Sequence, residues 1–201
     1  VSTPAQEPRP AIASESSVIR LRYDVFDPTA SEPSIPANLQ SADAERLWIV
    51  QFRGTPTQAG RDALSGLGAQ VHRYLPDNAY VVRMPEAIVD AASALPTIRW
   101  VGRYHAAYRL DPVLIAALQA GDLPLARYNV VVVDKHNDKP ALGANIQALG
   151  GTVISEEQGS LLFSVALTGA QLQQAVHLDE VLWGDAWTPP GEDVDNARIQ
   201  G

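Results

Sequence analysis

Asp134, His136 and Asp138 are the densest group of potential metal ligands in the sequence. Carboxylate and imidazole groups at alternate positions could coordinate a divalent cation together. They follow the apolar run YNVVVV, and the polar loop after a strand commonly has this composition. We therefore predict an ordinary loop here, and we expect the chain to bind no metal and no cofactor.

The other residues with catalytic potential are scattered. His72, His105 and His177 lie far apart in sequence, and we expect ordinary surface or core roles for them. The chain has no cysteine, which excludes a thiolate nucleophile, a thiolate metal site and a disulfide framework. It also lacks a G-x-S-x-G elbow, a phosphate-binding loop and an H-E-x-x-H motif. The sequence thus predicts a segment that is not an enzyme.

An internal repeat organises the chain. In the first half of each copy, matching residues such as Ile49 and Val131 lie 82 positions apart. Beyond the central hairpin the offset is 83, as for Trp100 and Trp183. A one-residue insertion between two strands is well tolerated, because hairpin loops change length without disturbing the core. The repeat therefore indicates a duplicated structural unit.

Each copy predicts the order strand, helix, strand, strand, helix, strand. The first strand is LWIVQF in one copy and YNVVVV in the other, and the second of these is apolar on both faces, as in a central strand. Thr55, Pro56 and Gln58 can begin the first helix, and Gly66 or Gly68 can end it. This pattern predicts an α+β chain with two tandem ferredoxin-like (βαββαβ) domains, in which two helices cover one face of each antiparallel sheet.

Three further segments lie outside the copies. Residues 1–46 begin with a composition typical of disorder and contain VIRLRYDVF, which alternates like one strand added to an edge of the first sheet. The first repeat occupies residues 47–110 and the second 128–188. Between them, residues 111–127 predict a linker with a short helix ending near Gly121. Residues 189–201 predict an extended tail.

Charge and hydropathy exclude two classes of partner. The net charge is −8, whereas nucleic-acid binding depends on clustered Lys and Arg. No apolar run approaches the roughly 20 residues of a membrane-spanning helix. We expect neither a nucleic acid nor a membrane as partner.

The first copy resembles the N-terminal propeptide of bacterial secreted subtilisin-like serine proteases. The segments that carry the resemblance are LWIVQFRG, GAQVHRYLPDNAYVVRMP and IRWVGRYHAAYRL, within about residues 47–112. The tail NARIQG is similar to the segment that leads into the protease domain of such precursors. The resemblance implies an extracellular folding chaperone and autoinhibitor whose partner is the cognate catalytic domain. Its sheet would lie on the enzyme and its C-terminal tail along the substrate cleft.

This chain departs from the simplest propeptides in having two units, so which unit docks stays open. The alternative is a tandem ferredoxin-like binding or regulatory module unrelated to a protease. If Tyr80, Val82 and Met84 face the helices, the open face of the first sheet is a mixed surface that suits water. It carries Val81, Arg83, Arg99, Val101 and Arg103.

The second sheet is the predicted docking surface. With Phe163 and Val165 inward, its open face carries Leu162, Ser164, Ala166 and Leu182, which are apolar or small and therefore suited to being covered. Packing of this face against the first repeat is the alternative. For the tail, we predict that the non-primed subsites of the protease bind Val194, Asp195, Asn196, Ala197, Arg198, Ile199, Gln200 and Gly201.

Overall fold

The computed structural model of the chain describes residues 17–156 and 159–188. This part is a mixed α+β structure with ten β-strands in three antiparallel sheets and five α-helices. Both copies of the repeat have the predicted order of strands and helices, so that prediction is confirmed.

The first unit forms a four-stranded sheet in the order β4-β5-β3-β6. The central strand β3 is buried along its whole length, because helices cover one face and other parts of the chain cover the opposite face. Its elements are β3 (Leu47–Phe52), α1 (Gln58–Gly66), β4 (Gln70–Leu75), β5 (Ala79–Arg83), α2 (Val89–Ser93) and β6 (Ile98–Arg103).

The second unit repeats this arrangement, with the sheet order β10-β7-β9-β8. Its strand β7 is central, as its apolar sequence predicts. Its elements are β7 (Ala126–Val132), α4 (Asp138–Ala148), β8 (Thr152–Glu156), β9 (Leu162–Leu167), α5 (Gly169–Ala175) and β10 (Val181–Ala186). Strand β7 begins two residues before the predicted start of the second repeat at residue 128.

The first helix begins later than predicted. The hydroxyl of Thr57, and not that of Thr55, accepts the backbone N–H of Gly60 at 3.1 Å and caps α1. At the other end the chain turns at Gly68, whose φ is +96°, and the matching Gly150 has a φ of +79°. Glycine adopts this left-handed conformation without steric cost, which explains its position after each helix.

The segment VIRLRYDVF was predicted as one strand at a sheet edge, and that prediction is wrong. It forms two short strands, β1 (Ile19–Arg20) and β2 (Val25–Phe26), which pair with each other. The chain reverses where the N–H of Leu21 donates to the carbonyl of Asp24 at 2.9 Å. The alternation of this segment comes from Ile19, Leu21 and Tyr23, which pack, together with Phe26, against the open face of the first sheet.

The short helix predicted between the units is confirmed as α3 (Pro112–Ala120). The Asp111 carboxylate caps its start by accepting the N–H of Val113 at 2.9 Å, and Gly121, at φ +75°, ends it. Leu114 and Ile115 of this helix pack into the core of the second unit. The segment between the units is therefore part of the packed structure.

A third hydrophobic cluster, here called the central cluster, lies on the open face of the first sheet. There, residues of the first sheet meet the N-terminal hairpin and the second unit. The ion pair Arg83–Asp138 at 2.6 Å also joins the units, and Arg46–Asp179 at 2.9 Å joins the residue before β3 to the second unit. Its buried members are Ile19, Phe26, Leu47, Ile49, Ala79, Val81, Tyr104, Tyr108, Val133 and Leu182.

The prediction that the open face of the first sheet is exposed to water is therefore wrong in two ways. Val81 lies on that face but is fully buried, at 0% exposure, and Arg83 and Arg99 are engaged by Asp138 and Asp27. Val101 and Arg103 lie on the opposite, helix-covered face.

A β-bulge causes this inversion. The register between β3 and β6 shifts between Gln51 and Phe52, so that Ile98 and Val101 both pack with the helix-side core. The Arg103 guanidinium accordingly lies 4.1 Å from the centre of the Trp48 ring, its cross-strand neighbour. A bulge adds one residue to a strand and thereby reverses which face the following side chains occupy.

Candidate partner-binding face

The two faces of the second sheet differ sharply in burial. Phe163, Val165 and Leu167 of β9 are buried against the helices, as predicted. The alternate residues of the same strand, Leu162, Ser164 and Ala166, point to the opposite face because successive side chains of a strand alternate. Leu162 and Ala166 are half-buried, and Ser164 is 4% exposed. We call this surface the outer face of the second sheet.

Cross-strand pairs arrange the outer face in three rows. The row nearest the central cluster is apolar and joins Leu162 to Val131 and Trp183. The middle row is polar and pairs Ser164 with Asn129, which in turn pairs with Asp185. In the far row Ala166 pairs with Arg127, whose guanidinium lies 4.2 Å from the centre of the Trp187 ring. The outer face is therefore more polar than the four predicted residues suggest.

The structure brings three of the predicted contact residues together and separates the fourth. Leu182 is 6% exposed and belongs to the central cluster, where it packs between the units. Its strand has a register irregularity between Val181 and Trp183, which places Leu182 at a bulge. For Leu182 the structure therefore shows the alternative prediction, in which the residue packs against the first repeat. Residues 194–201 lie outside the described part of the chain.

Sequence reasoning missed the contribution of β7 to the outer face, and from β10 it named Leu182 where the structure has Trp183 and Asp185. Polar and apolar residues alternate in ARYNV, and this signal places Arg127 and Asn129 on the side opposite Tyr128 and Val130. Two buried polar atoms of this face, Nε of Arg127 and Oδ1 of Asp185, have no hydrogen-bond partner among the described residues.

A buried ionic cluster fixes the two units against each other. Arg109 is 0% exposed, and its five N–H donors make five hydrogen bonds. They reach the carboxylate of Glu45 at 2.7 Å, the carbonyl of Tyr104 twice, and the carbonyls of Val176 and Leu178. The cluster thus connects the N-terminal extension, the segment after β6 and the segment after α5.

His177 completes this cluster. Its Nδ1 lies 2.7 Å from Oε1 of Glu45, and its Nε2 lies 3.0 Å from the carbonyl oxygen of Asn38. Both partners are acceptors, so only the imidazolium form can donate to both. The hydrogen bond to Glu45 raises the pKa of His177, although burial opposes it. Burial favours a higher pKa for Glu45, but hydrogen bonding to His177 and the charge of Arg109 outweigh it and lower the pKa.

The stability of the chain should therefore fall as pH rises through the folded-state pKa of His177. The contribution of protonated His177 to the free energy of unfolding is fully present below the pKa of this residue in the unfolded chain, about 6.5. It is lost above the raised pKa of the residue in the folded chain. Loss of one hydrogen bond corresponds to about 1 kcal/mol. Urea unfolding at a series of pH values above 6.5 measures this decrease.

The His177→Gln variant provides the control for this measurement. Burial lowers the pKa of His72 and of His105, so both titrate below the range in which His177 loses its proton. The variant should show little change in unfolding free energy over the same range. An equal decrease in the wild type and the variant would contradict the assignment to His177.

The Asp134–His136–Asp138 loop has internal hydrogen bonds and one ion pair. Asp138 forms a two-point ion pair with Arg83, and Asp134 accepts the N–H of His136 at 2.8 Å and the amide of Asn137 at 2.7 Å. The hydrogen bond from the Asn137 side chain lowers the pKa of Asp134, and the His136 N–H adds to this effect. Across residues 17–156 and 159–188, no three His, Cys, Asp or Glu side chains are placed to hold a metal ion.

Residues 20–105 match the model of a domain of unknown function (DUF8729). The matched range includes part of the N-terminal extension and most of the first unit, through strand β6. No curated protein and no solved structure matches the chain. Within the described residues, no helix combines the length and the apolar character that crossing a membrane requires.

Proposed function

We propose that this chain is the propeptide of an extracellular subtilisin-like serine protease. In this proposal it assists the folding of the cognate catalytic domain and then inhibits it, and it contributes no catalytic residue of its own. The outer face of the second sheet contacts the protease, and residues 189–201 follow the substrate cleft. The resemblance of LWIVQFRG and of the segments after it to such propeptides supports the proposal.

Strand order supports assigning both units to the ferredoxin-like arrangement. In each unit the first and third strands are central, and the fourth and second strands form the edges. In the first unit, α1 follows the first strand and α2 follows the third. In the second unit, α4 and α5 have the same positions. This βαββαβ order with an antiparallel sheet is the ferredoxin-like pattern.

The observation that favours the second sheet as the docking surface is the difference in burial between the two open faces. On the first sheet, the residues of this face in β3 are buried, as are Ala79 and Val81 in β5, and Leu47, Ile49 and Val81 belong to the central cluster. On the second sheet, Leu162, Ala166 and Arg127 remain half-buried and can be reached by a partner. A protease that binds a sheet face therefore has more accessible surface on the second unit.

The position of the chain after β10 agrees with this choice. Strand β10 is an edge strand of the second sheet, and Trp187 follows it directly beside Arg127 in the far row of the outer face. The described part of the chain therefore ends, at Thr188, close to the proposed docking surface. A sheet contact and a tail contact on one protease require such proximity.

The reading frame beyond the Gly201 codon tests the proposal directly. Sequencing the genomic DNA should show an in-frame subtilisin-like catalytic domain, with its Asp, His and Ser motifs, downstream of this segment. An in-frame stop codon at that position would contradict the proposal. The catalytic domain encoded there then provides the protease for the inhibition measurements that follow.

Replacing Leu162 with Asp should weaken inhibition of that catalytic domain. The substitution places a charge in the apolar row of the outer face, where a bound protease would exclude water from it. We expect the inhibition constant to rise by at least about tenfold, which corresponds to about 1.4 kcal/mol. A titration of peptidase activity with the purified chain gives the constant.

Val113→Asp is the matched control for this substitution. Val113 lies on α3 and is 75% exposed, so the same chemical change occurs away from the outer face. Circular dichroism and thermal unfolding verify that both variants are folded. If the two variants inhibit equally well, the outer face is not the docking surface.

The second candidate is a tandem ferredoxin-like binding or regulatory module. The observation that favours it is an open cleft of about 480 Å³ lined by residues of both units. Ligand sites are frequently found where two units meet. A stop codon after Gly201 combined with ligand binding in this cleft would support this second function.

A further inference from the structure

Three parts of the chain meet at the cleft between the units. The N-terminal hairpin, the edge strand β4 with the turn after it, and the second unit all line it, and its volume is about 480 Å³. This volume is within the range of small-molecule binding sites. Its lining residues include Arg20, Arg22, Arg73, Leu75, Leu182 and Trp183.

The inner surface of the cleft is mainly apolar and aromatic. Leu75, Val131 and Leu182 line it and also pack against or within the central cluster. Tyr104 is buried beneath it, and its hydroxyl donates to the carbonyl of Leu182 at 3.0 Å. Burial raises the pKa of Tyr104 to about 12, so this hydroxyl stays neutral at ordinary pH. The surface can therefore contact the apolar part of a ligand.

The guanidinium groups of Arg22 and Arg73 give the cleft a positive charge, because the third arginine that lines it, Arg20, is paired with a carboxylate. Arg20 pairs with Asp77 at 2.9 Å, whereas Arg22 lies 4.9 Å from the centre of the Trp183 ring. Arg22 and Arg73 are exposed, and neither has an ion-pair partner among the described residues. In a chain of net charge −8, this is a local concentration of positive charge.

We propose that this cleft binds a small organic anion with an aromatic or branched apolar body. The anionic group, a carboxylate or a similar group, interacts with Arg22 and Arg73, because guanidinium groups bind carboxylates through two parallel hydrogen bonds. The body packs on Leu75, Val131 and Leu182. An inorganic anion would leave this apolar surface in water, and a neutral apolar molecule would leave the guanidinium groups unpaired. The cleft shares Val131 and Trp183 with the apolar row of the outer face, but binding of a small anion by the isolated chain does not require a protease.

Three matched probes test the chemistry of this site. They are 3-phenylpropionate, its neutral amide 3-phenylpropionamide, and inorganic phosphate. Isothermal titration calorimetry should give a dissociation constant of about 1 mM or below for 3-phenylpropionate. It should give at least about tenfold weaker binding for the other two probes. Trp183 lines the cleft, so tryptophan fluorescence provides a second readout.

Variants of exposed arginines locate the site. Arg73→Gln on the edge strand and Arg22→Gln on the hairpin should each lower the affinity for 3-phenylpropionate by at least about fivefold. Arg53→Gln changes an exposed arginine that does not line the cleft and should bind like the wild type. Circular dichroism shows whether each variant is folded. Absence of binding, equal binding of the amide or of phosphate, or unchanged affinity in both cleft variants would overturn the proposal.

Discussion

Replacing Arg109 with methionine should lower the free energy of unfolding by about 3–5 kcal/mol, the cost of removing one partner from a buried ion pair. Without the guanidinium, Oε2 of Glu45 loses its donor, although Oε1 keeps His177, and the carbonyls of Tyr104, Val176 and Leu178 lose the hydrogen bonds from Arg109. Because these groups belong to different parts of the chain, contact between the two units weakens as well. Urea unfolding followed by circular dichroism measures the change.

Two further variants make this result interpretable. Arg53→Met removes an exposed arginine and should change the unfolding free energy by less than about 0.5 kcal/mol. Arg109→Lys keeps the positive charge but cannot reproduce five hydrogen bonds from a planar group, so it should still be strongly destabilised. A loss below about 1 kcal/mol in Arg109→Met would show that the cluster contributes little.

Deleting residues 194–201 should raise the inhibition constant against the cognate protease by at least about tenfold, or about 1.4 kcal/mol. This expectation depends on the proposed function. An extended segment pairs with the edge of a protease cleft through its main chain, and removing it eliminates those hydrogen bonds. The measurement is a titration of the catalytic domain with the full and the shortened chain.

The control is removal of residues 1–16 from the opposite end of the chain. That deletion should leave inhibition unchanged, because the proposed contacts are at the outer face of the second sheet and in the C-terminal tail. Both shortened chains should retain the circular dichroism of the folded units. Unchanged inhibition after loss of residues 194–201 would show that the sheet alone makes the contact with the protease.

The difference between the two open faces determines how these inhibition experiments are designed. Val81 has the strand position of a surface residue, yet it is buried in the central cluster, so a charged substitution there would unfold the first unit. Val113 is exposed and gives a control in which only the charge changes. The choice of control thus depends on tertiary structure.

The sequence by itself determined the local structure of both units. Two copies of one pattern, with matching residues 82 or 83 positions apart, predict the order of strands and helices that the structure has. Alternation in β9 correctly predicts that Phe163 and Val165 face the helices. Such predictions succeed because side-chain direction within a regular strand follows from its period of two residues.

Tertiary structure alone decided which faces are covered. The bulge in β6 moves Val101 and Arg103 to the helix side, and no residue type in that strand marks its position. The partners of Glu45 in the buried cluster, Arg109 and His177, lie 64 and 132 residues away along the chain. In sequence Arg109 has the character of a surface residue, because Arg is rarely buried without a partner. Its burial becomes favourable only when the folded chain brings a carboxylate and three carbonyl groups around it.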